Sequence, residues 1–284
     1  MLKFLVQCSE IGAGTRGSSL GPDAIMMASL NVESELFNRY PFEQIPDLND
    51  SLFEPTSTPN ALRIEQMHAT WSSQSESVMR NMRMNKVPVI LSGDHASAGG
   101  TIAGIKMTHP DKRLGVVWID AHADLHTPYT TPSGNVHGMP LGASIATDNL
   151  DMQRNKPNQE TVDYWERMKN LGGLSPKILP EDLIFVGVRD TEKEEIHLMT
   201  KHNIINYEVA EVDDMGMNSI GNEIFILGAN IPEYNKAKSF KHSPTRQRKL
   251  LLHKREIKRL IGLIKRKGHT LIPLSLYFNK KNIK

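Results

Sequence analysis

Residues 92–95 read SGDH, and residues 116–126 read VVWIDAHADLH. The second run sets Asp120, His122 and Asp124 at alternate positions, with His126 two residues on, and the first run supplies His95. Carboxylates mixed with imidazole are the donor set of Mn²⁺, Zn²⁺ or Fe²⁺ rather than of Ca²⁺. Alternate side chains of an extended segment share a face, so the three would point together if the strand ran on through them. A carboxylate such as Asp120 has two oxygens and could bridge two ions. Ions roughly 3.5–4 Å apart can share a hydroxide and make it nucleophilic at neutral pH. A lone aspartate at a strand end is more often a turn or helix-cap residue. That reading suits Asp94 and Asp182, but it explains poorly a D-x-H-x-D run joined by a second D-H pair.

Such residues need elements to carry them. Apolar runs predict strands over 2–8, 87–93, 113–120, 183–188 and 203–208, with helical stretches near 61–85, 97–107, 140–149, 158–171 and 191–201. Strands alternating with helices predict an α/β fold, a parallel sheet covered on both faces. Ligands then collect at the carboxyl ends of the strands, and both ligand-bearing runs directly follow apolar strands. The stretch 126–137, rich in Thr, Pro, Ser and Gly, reads as a loop over that edge. Beyond it the grammar changes. Residues 222–230 read as a strand and 235–247 as a Lys-rich loop. Residues 248–267 read as an amphipathic helix, with Leu250, Ile257, Leu260, Ile261 and Ile264 at helical spacing. Gly268 is a natural stop, and 270–278 is a further strand whose Pro273 argues for an edge or a bulge.

The 284 residues are 39% hydrophobic and 23% charged, ordinary for a globular protein. No apolar run is long enough to span a bilayer, so no membrane partner is expected. The opening MLKFLVQCSE turns polar too soon for a secretory signal. With a single cysteine, Cys8, it predicts a cytoplasmic protein without disulfides. The net charge of +2 is unevenly spread: from Asn235 onward sixteen Lys or Arg face one acid, Glu256, so the preceding residues are acidic.

The segments SGDHASAGG, WIDAHADLHTPYTTPSGNVHGMPL, IFVGVRDTEKEE and YEVAEVDDMGM, with SEIGAGTRGSSLGPDAI at 9–25, resemble the arginase, agmatinase and formiminoglutamase family of ureohydrolases, and arginases most of all. The resemblance covers about 1–220 and implies a three-layer parallel-sheet domain. It implies two Mn²⁺ with His95, Asp120, His122 and Asp124 among their ligands, and His137 as proton shuttle. Ser133 and Asn135 would hold a substrate carboxylate, while Asp190 and Glu192 would lie near its amino end. His126, where arginases carry Asn, would face the substrate too. The implied reaction is hydrolysis of a guanidino or amidino C–N bond by metal hydroxide, for example arginine to ornithine and urea, with agmatine and formiminoglutamate as other substrates. By residue type alone, Ser133 and Asn135 are equally turn formers, His137 a loop histidine, and Arg189 with Asp190 an ion pair.

The family also carries a second acidic pair, in an S-F-D-x-D-x-x-D-P motif, and a later Glu. This chain has no D-x-D and no aspartate after Asp214. Its resemblance therefore lacks the last strands, only part of the ligand set is present, and impaired activity is expected. From about Asn222, and most specifically in RKLLLHKREI, the chain resembles SmpB, the SsrA-binding protein of trans-translation. That family has an OB-like barrel with a helix and binds the tRNA-like part of tmRNA. Only a partial barrel fragment with one amphipathic helix is present here, and Arg246, Arg248, Lys249, Lys254 and Arg255 are its candidate phosphate contacts. The expected domains are 1–220 and 221–284. The competing readings are an RNA-binding protein acting through the tail and a non-functional fusion of two gene fragments. Oligomeric state is left open.

Overall fold

The computed structural model describes residues 1–32 and 34–209 and, beyond them, the backbone of four short strands. Contacts divide the chain into Met1–Tyr207 and Glu208–Lys284. In the first unit the strands are β1 (Leu2–Gln7), β2 (Phe42–Gln44), β3 (Val87–Ser92), β4 (Val116–Ile119), β5 (Leu183–Val186) and β6 (Ile205–Tyr207). Its α-helices are α1 (Gly21–Asn31), α2 (Leu36–Arg39), α3 (Ile64–Arg83), α4 (Ser97–Thr108), α5 (Pro140–Ser144), α6 (Gln159–Lys169) and α7 (Lys193–Lys201). All pairing in this unit is parallel. The α/β expectation holds.

The single sheet does not. The strands form two three-stranded sheets, β2-β1-β3 and β4-β5-β6. Among the described strands β3 bonds only to β1 and β4 only to β5, so each keeps one free edge. Between them lies a cleft of about 520 Å³ lined by residues including Ile90, Ser92, His95, Val116 and Trp118. The central strand β1 is buried on both faces through Phe4, Leu5 and Val6, as a parallel strand should be. Among the described residues the second sheet is covered on one face only. Trp118, Leu183 and Phe185 pack into a core with Ile102, Leu125, Leu141 and Leu198. On the other face Val117, Ile184 and Ile205 stand in register, and Val117, Ile119 and Ile205 are 63%, 77% and 52% exposed.

Helix α3 buries the stripe Ile64, Met67, Trp71 and Val78, the spacing that makes one helical face. It packs tightly on α4. A Cβ at Gly99 would stand 2.2 Å from the Trp71 ring, so only glycine lets the helices approach this closely. In α6 the Asn158 side chain accepts the Thr161 N–H at 3.0 Å, an N-cap. Helix α5 ends at Ser144, short of the expected 149, because Ala146 and Asn149 adopt φ of 57° and 52°. Strand β2 carried no sequence signal, being three residues long.

In the second unit β7 (Ile224–Ile226) pairs antiparallel with β8 (Arg248–Leu250), and β9 (Phe278–Asn279) with β10 (Asn282–Ile283). The helix expected to start at 248 is corrected here. Arg248–Leu250 forms a strand because ladder pairing with β-branched Ile224 and Ile226 overrides helical propensity. The remainder of that helix, the barrel, and Arg246, Lys254 and Arg255 lie outside the described residues. No helix among the described residues is long and apolar enough to cross a membrane.

Candidate metal centre and pocket

The carboxyl ends of β3 and β4 bring His95 to Asp120 and Asp124. His95 Nδ1 lies 2.8 Å from Asp120 Oδ2 and 3.0 Å from Asp124 Oδ2. The three donors lie within 4.8 Å of one another. The His95 ring is stacked on Trp118, with centroids 4.2 Å apart and planes 16° apart, which fixes its orientation. Burial pushes the His95 imidazole down, but the Asp124 and Asp120 carboxylates outweigh it and hold its pKa above the ordinary value. Asp120 is raised by burial, yet the His122 N–H and the charge of His95 bring it below the usual carboxylate range.

The alternation of this motif is not that of a continuing strand. Strand β4 stops at Ile119, and Asp124 turns left-handed, with φ 50°, a conformation Asp tolerates better than most residues. The turn carries the Asp124 carboxylate back to His95. His122 diverges from that cluster: its Nδ1 is 3.4 Å from Asp120 Oδ1, and its Nε2 is 3.6 Å from Asp190 Oδ2. The fit to a metal therefore differs between two positions. One has three convergent ligands, His95, Asp120 and Asp124. A second has, among the described residues, His122 and the other oxygen of Asp120.

Asp94, by contrast, is a turn residue. Its oxygens accept the N–H groups of Gly12 and Ala96, each at 2.9 Å, tying the first loop to the site. Burial pushes its pKa up to about 6. Asp182 is likewise structural, taking a two-point bond from Arg113 at 2.9 and 2.7 Å.

Next to the cluster is a pocket of about 200 Å³, lined by residues that include His122, Asp124, His126, Ser133, Asn135, His137, Asp190, Glu192 and Glu195. The loop over the strand ends places Ser133, Asn135 and His137 there, and the start of α7 places Glu192. Gly134 lets the loop through: with φ +78° it passes so close to Pro59 that a Cβ would sit 2.1 Å from its carbonyl oxygen. Ser133 Oγ also accepts the Asn135 N–H at 3.2 Å, so its turn role is real as well. Burial pushes the His137 pKa down. Arg189 reaches the Gly187 carbonyl rather than Asp190, and Asp190 faces His122. His126 contacts Glu192 directly.

Sequence reasoning missed Glu195. It is 4% exposed, accepts the Leu125 N–H at 3.1 Å with one oxygen and the Glu192 N–H at 3.1 Å with the other, and closes a capping box with Glu192. The Glu-x-x-Glu spacing at a helix start was the available signal.

Residues 4–228 match the family model described as Arginase family, and residues 203–284 match that of SmpB protein. An arginase of Bacillus caldovelox is 31% identical over 217 residues, 75% of this chain and 66% of the relative. Arginase-1 of Homo sapiens is 30% identical over 191 residues, 66% of this chain and 52% of the relative. A crystal structure of arginase from Bacillus subtilis shares the fold with TM-score 0.59 at 30% identity, over 77% of this chain and 68% of that one. The chain thus spans just under two thirds of the Bacillus caldovelox relative and about half of the human one.

Proposed function

Since this chain belongs to the arginase family, we propose that it is a metal-dependent ureohydrolase module whose guanidino substrate enters the pocket beside His95, Asp120 and Asp124, with strongly reduced turnover. The observation that carries this reading is the convergence of those three donors, of which Asp124 lines the same pocket as His137, Ser133 and Asn135. Mn²⁺ is the ion we assign; His95, Asp120 and Asp124 would hold it at one position, and His122 with Asp120 would offer a second. When bound, such ions supply the Lewis acidity that lets water lose a proton near neutral pH.

The chain's own residues do the rest. Ser133 and Asn135 offer donors to a carboxylate on the substrate tail, while Asp190 and Glu192 offer acceptors to an amino group. His126 sits beside Glu192 at that second end. Burial keeps the His137 imidazole neutral, ready to accept a proton at a ring nitrogen and return it to the departing amine. In the reaction, water adds to the guanidinium carbon and the bond to the chain nitrogen breaks, leaving urea and an amine. Reduced turnover follows from the second position, where the described residues supply two ligands in place of a full set.

The test is metal content after dialysis with Mn²⁺, and urea released from arginine, beside Bacillus subtilis arginase. We expect at most one tightly held Mn²⁺ across these two positions and turnover lower by about 100-fold or more, the scale of losing one preorganised electrostatic contact. Two tight ions with matching turnover would overturn it.

The match of residues 203–284 to SmpB favours a second reading, tmRNA binding by the basic tail. Arg246, Arg248, Lys249, Lys254 and Arg255 are its phosphate contacts. Five such contacts give a log–log salt slope of about −3.5 to −4.5. Gel shift of the full chain on tmRNA across a salt series measures this; no complex at low salt removes the reading. With one cysteine and no spanning helix among the described residues, we place the chain in the cytoplasm.

A further inference from the structure

The pocket has a second convergence of electron-pair donors at its far end. His126 Nε2, one oxygen of Glu192 and one of Glu195 lie within 4.8 Å of one another. His126 and Glu195 are only 7% and 4% exposed, so this is no surface ion pair. His126 Nε2 contacts Glu192 Oε2 directly and lies 3.8 Å from Glu195 Oε2. The other ring nitrogen, Nδ1, is 3.2 Å from Thr130 Oγ1, which also accepts the Thr127 N–H at 3.0 Å. A partner at the far ring nitrogen fixes the orientation of the imidazole, as outer partners do for metal-bound histidines. Glu195 is held rigid by its two backbone N–H partners, and each oxygen still has a free lone pair. Asp190 adds another carboxylate to the lining, and neither Lys nor Arg is among the lining residues. Excess negative charge therefore meets a half-enclosed space open to solvent, with an entry path through Glu192, whose side chain is 48% exposed.

We propose that His126, Glu192 and Glu195 form a second divalent-cation site, distinct from the His95–Asp120–Asp124 cluster. One imidazole and two carboxylates, completed by water, suit a four-coordinate ion of the Zn²⁺ or Co²⁺ class. Bonds of about 2.0–2.2 Å call for donors a little over 3 Å apart. The 3.8 Å between His126 and Glu195 is close to that, and Glu192 swings outward to admit the ion. The site lies where the tail of a substrate would reach, so ion and tail compete and excess zinc inhibits.

The test uses the full chain carrying His95→Ala and Asp120→Asn, which disables the first cluster. Titration with Co²⁺ is followed by its visible absorption and by metal analysis. One Co²⁺ per chain is expected, with binding weakened at least about 10-fold by adding either His126→Asn or Glu192→Gln. Glu195 is left intact because it caps α7. Should the double variant not fold, His126→Asn in the parent chain lowers bound Co²⁺ by one ion. No Co²⁺ in the double variant while it remains folded, or a titration indifferent to both added changes, overturns the proposal. Because the first cluster is absent from that protein, failure of the ureohydrolase reading leaves this result untouched, and the converse also holds.

Discussion

Asp124→Asn is expected to abolish tight Mn²⁺ binding at the His95–Asp120–Asp124 cluster and the urea release that depends on it, while leaving the chain folded. Asp124 is buried, with its side chain 6% exposed, and its Oδ2 is 3.0 Å from His95 Nδ1. Asparagine keeps the volume and one oxygen but loses the charge that draws a divalent ion. Losing an outer partner of a ligand costs about 10–100-fold in affinity; losing a direct carboxylate ligand from a set of three costs more. The effect is legible without activity. An ion at about 100 times its Kd stabilises the parent by about 2.7 kcal/mol. For a domain of this size that raises the thermal midpoint by about 5–11 °C. Adding Mn²⁺ should shift the parent's midpoint and leave that of Asp124→Asn where it was. An equal shift in both would place the ion elsewhere.

The second large effect lies in the scaffold. Gly99→Ala adds one methyl group 2.2 Å from the ring of Trp71, itself 1% exposed. The neighbour that must yield is a buried indole packed among Met67, Ala96 and Trp165, with nowhere to go. Overpacking of this kind costs about 1–3 kcal/mol, a midpoint lower by about 2–12 °C here. Because α4 begins two residues after His95, the displacement also reaches the metal cluster, and Mn²⁺ affinity should fall with stability. Gly21→Ala is the control. Its Cβ meets nothing within 4 Å and its φ is −57°, so it should be neutral or mildly stabilising. Equal melting of the two variants would refute the close-packing account.

The residues of the cluster were legible because their chemistry is unusual where it occurs: His95, Asp120 and Asp124 directly follow apolar runs. Their geometry was not. Periodicity suggested one shared strand face, whereas the left-handed turn at Asp124 does the work and His122 points toward Asp190. Parallel strands were legible from apolar runs such as VPVILS, yet such a run specifies burial and not a neighbour. So the division into two sheets could not be read, and neither could the exposure of Val117 and Ile119. Arg248–Leu250 fits a helical stripe as well as a strand, and only pairing with Ile224–Ile226 decides it. Glu195 was hidden because a capping glutamate looks the same whether it faces solvent or, as here, a pocket.

The division of the sheet has a mechanical consequence. His95 hangs from the end of β3, in one sheet, while Asp120 and Asp124 hang from the end of β4, in the other. Backbone ladders hold each half rigid, but among the described strands no ladder crosses the seam. The donor cluster and the His95–Trp118 stack span it, beside the packing of Ile102 into the core of the second sheet. A slip of one half against the other therefore changes the spacing of these donors, because they are carried by different halves.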